Sequence, residues 1–142
     1  MASITAHKDY TKMIDQLADR SITDRPFDNY MTLFITCAAL GIKAKNKHAA
    51  LQSKSGGKDV MERIWRQNPQ HERIIFAVAL WETNDIRIFN DKEKCYEIFE
   101  QYVNGGLEEM HAIYSDDRSA DSTFQKIIMD MALSSQDNVE KI

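Results

Sequence analysis

Phe27-Asp28-Asn29-Tyr30-Met31-Thr32-Leu33-Phe34-Ile35-Thr36-Cys37-Ala38-Ala39-Leu40-Gly41 is the stretch that decides the fold. It is apolar on more than one face, so a helix formed here has no side to offer to water and belongs in the middle of a core. Pro26 ahead of it suits the first helical position, where a missing N–H costs nothing. Gly41 is a natural C-terminal stop. The run from Met31 to Leu40 holds two Thr and falls well short of the roughly 18–20 apolar residues that span a bilayer.

Outward from this centre the apolar spacing is helical nearly everywhere. Upstream, Tyr10, Met13, Ile14 and Leu17 recur at i, i+3, i+4 and i+7, one stripe of an amphipathic helix. Downstream, residues 42–58 have no period and read as an exposed basic loop, with room for a short strand or turn, ending at Ser55-Gly56-Gly57. A short helix carries Val60, Ile64 and Trp65 and stops near Asn68-Pro69. Gln70 to Glu82 forms the next helix, with Ile74, Ile75, Val78, Leu80 and Trp81 as its buried candidates. After a turn at Asn84-Asp85, Asn90 and Glu93 make a capping-box pair that opens a helix through Tyr96, Phe99 and Val103. Asn104-Gly105-Gly106 predicts its end, since Asn and Gly tolerate the left-handed conformation. Leu107 to Tyr114 resumes the pattern, Ser115 to Ser119 is a polar loop, and Ser122 with Gln125 caps a last helix. The expected fold is all-α: a single compact bundle of five to seven helices over residues 1–133, with a basic loop near 42–58 and a polar, frayed tail over 134–142.

Composition supports that frame. With 142 residues, 43% of them hydrophobic and 28% charged, and only 5 Gly and 2 Pro, the chain is one ordinary globular domain. Collagen-like, low-complexity and disordered classes are excluded. The first residues lack the charged-then-apolar layout of a signal peptide, so a cytoplasmic protein is expected. Two cysteines, Cys37 and Cys95, are too few for a disulfide scaffold. The methionines Met13, Met31, Met61, Met110, Met129 and Met131 sit at helical spacing and read as core filler. Trp65 and Trp81 read as core or interface anchors.

Charge is the most uneven feature. Residues 1–58 carry nine Lys and Arg against five Asp, a net of +4, and residues 59–142 carry a net of −8. Lys43, Lys45, Lys47, Lys54 and Lys58 follow one another with no acid between Asp28 and Asp59. Such a run, joined by His48, Arg63 and Arg66, can neutralise phosphates, although no aromatics are interleaved for base stacking. The same split also fits docking between protein subunits of complementary charge, and that reading is favoured.

No catalytic signature stands. Ser55-Gly56-Gly57-Lys58-Asp59 resembles a phosphate loop only in its Gly-Lys pair, since Gln52 and Asp59 occupy positions that need Gly and Ser or Thr. His71-Glu72 lacks a second His at position 75, which is Ile. Glu108 and His111 have the i, i+3 spacing of a di-iron ligand pair, but no second Glu-x-x-His accompanies it. Cys37 lies in the most apolar helix and Cys95 has no identifiable His partner. No enzyme activity, cofactor or metal is expected. An enzyme would instead require a pocket on which His111, Glu108 or Cys95 converge.

Three stretches carry a family likeness. They are Ala38-Ala39-Leu40-Gly41-Ile42-Lys43 with the basic loop to Leu51, Ile74-Ile75-Phe76-Ala77-Val78-Ala79-Leu80 leading into Glu82-Thr83, and Tyr96-Glu97-Ile98-Phe99-Glu100-Gln101-Tyr102-Val103-Asn104-Gly105-Gly106-Leu107. In this order, over residues 8–115, the sequence resembles the small accessory proteins encoded beside bacterial DNA-phosphorothioation (Dnd-type) clusters, Dnd system-associated protein 4. The resemblance implies anti-phage defence linked to sulfur-modified DNA and brings no catalytic residues with it. The expected function is a non-enzymatic accessory subunit that docks on larger defence proteins through its acidic helices. Its expected partners are other proteins of the same cluster, DNA through the basic loop, and a second copy of the chain. A small helical dimer regulating transcription at operator DNA is the alternative.

Overall fold

A computed structural model describes residues 2–23, 25–49, 51 and 54–116. In chain order these form strand β1 (Ser3–Ala6), a 3-10 turn (Lys8–Tyr10), α1 (Thr11–Ala18), α2 (Tyr30–Ala44), β2 (Lys58–Met61), α3 (Glu62–Arg66), α4 (Pro69–Thr83), a second 3-10 turn (Ile86–Asn90) and α5 (Lys92–Asp116). The fold is mostly helical, as the periodicity predicts. Added to it is a two-stranded antiparallel sheet in which Ser3 faces Met61 and Ala6 faces Lys58. Val60, placed in a helix by its spacing, is a strand residue, and Ser3-Ile4-Thr5-Ala6 was not assigned to any element from the sequence. Both strands are too short for two-residue alternation to register, and tertiary pairing across more than fifty residues creates them. The predicted helix from Ser122 and the tail over 134–142 lie outside the described residues, as do Met129 and Met131.

α2 is the central helix, burying Met31, Leu33, Phe34, Cys37 and Ala38. Its limits differ from the expected ones. Asn29, extended, takes the N-cap and accepts from the Thr32 N–H at 2.8 Å, so the helix opens at Tyr30 and not at Pro26. At the other end Lys45, at φ 55°, is the left-handed cap, one turn beyond Gly41. Gly41 is buried inside the helix because its bare Cα lets another helix approach.

That helix is α5, with which α2 shares its most extensive contact. α5 is one continuous helix of 25 residues, not two separated at Asn104-Gly105-Gly106. Asp91, rather than Asn90, caps its start by accepting from the Lys94 N–H at 3.1 Å, and the helix runs through Ser115 to Asp116, where a loop was expected. A side chain at Gly106 would collide with the Cys37 carbonyl, and one at Gly41 with the Tyr102 carbonyl. The two helices therefore touch backbone to backbone. Gly inside a helix costs about 0.5–1 kcal/mol relative to Ala, and the close packing against α2 outweighs it. Around this seam, Phe99, Val103, Leu107 and Met110 of α5 and Met13, Ile14 and Leu17 of α1 complete the core. Trp65 and Ile75 are fully buried, whereas Trp81, expected inside, is 59% exposed.

Candidate functional site

The basic segment does not stand apart as a charged flap. Leaving α2, it crosses α5, α4 and the sheet, and four of its basic side chains are met by acids of the same chain. Lys47 pairs with Glu82 of α4 at 2.7 Å, and His48 with Glu108 of α5 at 2.5 Å. Lys54 pairs with Glu100 of α5 at 3.0 Å. Lys58 pairs with Asp15 of α1 at 2.9 Å and lies 5.1 Å from the centre of the Tyr30 ring. Asn46 adds bonds to both Glu108 and Glu109. Lys47, His48 and Lys54 thus meet acids from residues 59–142, whereas Lys58 meets one from its own part of the sequence. Of the remaining candidates, Arg66 reaches Glu62 at 3.7 Å on α3, while Lys43, Lys45 and Arg63 are exposed.

These pairings leave their mark on acidity. The Lys47 ammonium, and after it the Tyr102 hydroxyl, hold the Glu82 carboxyl below the usual carboxylate range. Burial, then the bond to Glu82, pushes the Tyr102 phenol up to about 12. Hydrogen bonds from His48 and then Asn46 lower the Glu108 carboxyl. The bond to Asp15 raises the Lys58 ammonium.

A second polar cluster lies deeper and is absent from the sequence-based candidates. Thr5, Glu100 and Asn104 are buried. The Glu100 carboxylate accepts from the Thr5 N–H at 2.9 Å. Asn104 donates to the Thr5 carbonyl at 3.0 Å and accepts from the His7 N–H at 2.8 Å. Lys54 donates to the Ser3 carbonyl at 3.2 Å. Two side chains one turn apart on α5, with a lysine from the basic segment, thereby seal the edge of β1 that β2 leaves unpaired. The available signal was their position: both fall one residue from the apolar stripe Phe99, Val103 and Leu107, where polar residues need an internal partner.

The residues weighed for chemistry do not converge. Glu108 is committed to His48, whereas the His111 ring lies between those of Tyr10 and Tyr114, at 5.3 and 6.4 Å. Burial alone pushes the Cys37 thiol up, and burial with the Asp91 charge raises Cys95, so neither is a poised nucleophile. Cys95 donates to the Ile88 carbonyl. Among the described residues no group of three His, Cys, Asp or Glu is placed to hold a metal ion, and no helix is long and apolar enough to cross a membrane.

The chain matches the family described as DNA sulphur modification system-associated protein 4 over residues 3–141, nearly its whole length. No curated protein and no solved structure matches it. The likeness carried by Ala38–Lys43 with the basic loop to Leu51, by Ile74–Leu80 leading into Glu82-Thr83 and by Tyr96–Leu107 is therefore one of membership: the chain belongs to the DNA sulphur modification system-associated protein 4 family.

Proposed function

We propose that this protein is a non-enzymatic accessory subunit of a cytoplasmic, phosphorothioation-linked anti-phage defence system and acts by docking on larger proteins of its gene cluster. Family membership supplies the association with the DNA sulphur modification system. The observation that carries the docking reading is a contrast in what the fold satisfies internally. The basic segment spends Lys47, His48, Lys54 and Lys58 on its own acids. Large apolar side chains, by contrast, stand in solvent at the end of α4 and on the turn after it: Trp81 at 59%, Ile86 at 71% and Phe89 at 38% exposure. Trp81 is held edge-on at 6.0 Å from the Tyr102 ring, and Phe89 rests against Phe76 at 5.9 Å. Ordered aromatic side chains of this kind lose little freedom on binding and are favoured as interface anchors. Acidic side chains of α4 and α5 that the basic segment leaves unengaged, Glu72 and Glu93, would add to the partner's orientation by charge.

DNA contact is the second reading, and it rests on Lys45 and Arg63, both exposed and without an ion pair among the described residues. The test uses the purified chain and purified proteins encoded beside it, mixed and followed by calorimetry. Binding that is lost in Trp81→Ala/Ile86→Asp supports the docking reading, and no binding by any of them overturns it. Anisotropy with duplex DNA across a salt series, comparing Lys45→Glu/Arg63→Glu, decides the second reading. No binding at low salt ends it.

A further inference from the structure

The sheet has a second outer edge, on β2. The Glu62 N–H donates to the Ala2 carbonyl at 2.9 Å. With Ile4 opposite Val60 and Ala6 opposite Lys58, the even-numbered residues of the two strands exchange the ladder bonds, and odd-numbered backbone groups point away. The N–H and C=O of Asp59 and the N–H of Met61 therefore face outward from β2. Among the described residues no hydrogen bond reaches any of the three. Alongside runs a groove of about 430 Å³ between the end of α1, the start of α2 and α3, floored by Met31, Val60 and Met61 and flanked by Ile64, which is 41% exposed.

Its charge is one-sided in what it offers. The two carboxylates on its wall are engaged, Asp19 with the Ser21 N–H at 2.8 Å and Asp59 with the Thr5 hydroxyl at 2.6 Å. Arg20 and Arg63 are exposed there and make no ion pair among the described residues. An unpaired strand edge beside an apolar groove is the setting in which an extended peptide adds as a further strand, its backbone supplying affinity and its alternate side chains specificity. We propose that the β2 edge takes an extended segment of a partner protein, with apolar side chains alternating with acidic ones that meet Arg20 and Arg63. A second copy of the chain would bring like-charged arginine pairs together, and a nucleic acid would find the Asp59 carbonyl and two carboxylates against its phosphates. The inference goes beyond the docking reading, uses a different surface, and stands or falls without it.

The probe is a fluorescein-labelled pentapeptide of alternating valine and glutamate, about 16 Å long when extended, titrated into the full chain and read by anisotropy. It should bind at least about tenfold more tightly than the valine–lysine peptide, and methylation of its alternate backbone amides should abolish binding. Met61 sits at φ −80°, ψ 152°, so proline fits there and removes only the outward N–H. Met61→Pro should weaken binding about tenfold, Met61→Ala should weaken it far less, and Arg20→Glu/Arg63→Glu should reverse the charge preference. If Met61→Pro melts, the methylated peptides decide the matter. Four results would overturn the proposal: no binding of the glutamate peptide at millimolar concentration, indifference to peptide charge or methylation, displacement by duplex DNA, or a dimer that Met61→Pro dissociates.

Discussion

The two outer edges of one small sheet are treated in opposite ways. At β1 the carbonyls of Ser3 and Thr5 and the N–H groups of Thr5 and His7 all find partners in Lys54, Glu100 and Asn104. At β2 the outward groups of Asp59 and Met61 find none among the described residues. The first edge lies against α5, where an unmet backbone group would be stranded away from water and cost about 1–3 kcal/mol. The second borders an open groove, where water meets the same groups. Sealing is thus a folding requirement on one side, and openness is tolerable on the other. A chain that seals one edge with buried side chains has the means to seal both, and the unsealed one is where a partner has something to pair with.

The strongest blow to the sealed edge is indirect. Gly106→Ala drives a methyl into the Cys37 carbonyl, which must push α5 off α2 and carry Asn104 away from β1. We expect a loss of about 3 kcal/mol or more in urea unfolding, and an unchanged midpoint would refute the backbone contact. Asn104→Ala leaves the helix in place but orphans the Thr5 carbonyl and the His7 N–H, for about 2 kcal/mol. Glu100→Gln keeps an acceptor for the Thr5 N–H and loses only the charge facing Lys54, which is half exposed. Its cost should be about 1 kcal/mol or less and shrink with salt. Smallest of all, Met61→Pro should change stability by no more than about 0.5 kcal/mol, because it touches the edge that folding does not use. A Met61→Pro cost equal to that of Asn104→Ala would erase the distinction between the edges.

Acid provides an independent test of how the basic segment is held. Glu82 and Glu108 are more acidic folded than unfolded, through Lys47 with Tyr102 and through His48 with Asn46 respectively. Their contribution is fully present above the ordinary carboxylate range and is lost as pH falls below that range, through the lowered folded values. Glu82→Gln should flatten that acid limb, measured as the urea midpoint against pH. A parallel limb would mean that Lys47 does not hold Glu82 in solution.

Asn104-Gly105-Gly106 shows why part of this was legible in the sequence and part was not. Read locally, the tripeptide ends a helix, because each residue favours the left-handed conformation. In the fold each serves a different neighbour: Asn104 bonds to β1, Gly105 makes room for the Asn46 carbonyl, and Gly106 for that of Cys37. None of those neighbours lies within fifty residues, so no local rule weighs them. Trp81 fails for a related reason. Its spacing fits the buried stripe of α4, but helix rotation is set by Ile75, Val78 and Ala79 packing inward, and Trp81 is left outside.

What the sequence determined by itself is what depends on local periodicity and composition. That covers a mostly helical fold, a central apolar α2, buried Trp65 and Cys37, and an acidic chain with a basic stretch. Family membership was also legible, because a pattern of residues in order survives without a structure. Only the tertiary structure decided where the charges go, that α5 is unbroken, that the first residues form a strand, and which edge of the sheet is left open. Each of these depends on groups far apart in sequence meeting within a few ångströms. The free energy of such a meeting, a collision avoided at Gly106 or a carbonyl satisfied by Asn104, outweighs the fraction of a kcal/mol to about one by which local propensity prefers one conformation to another.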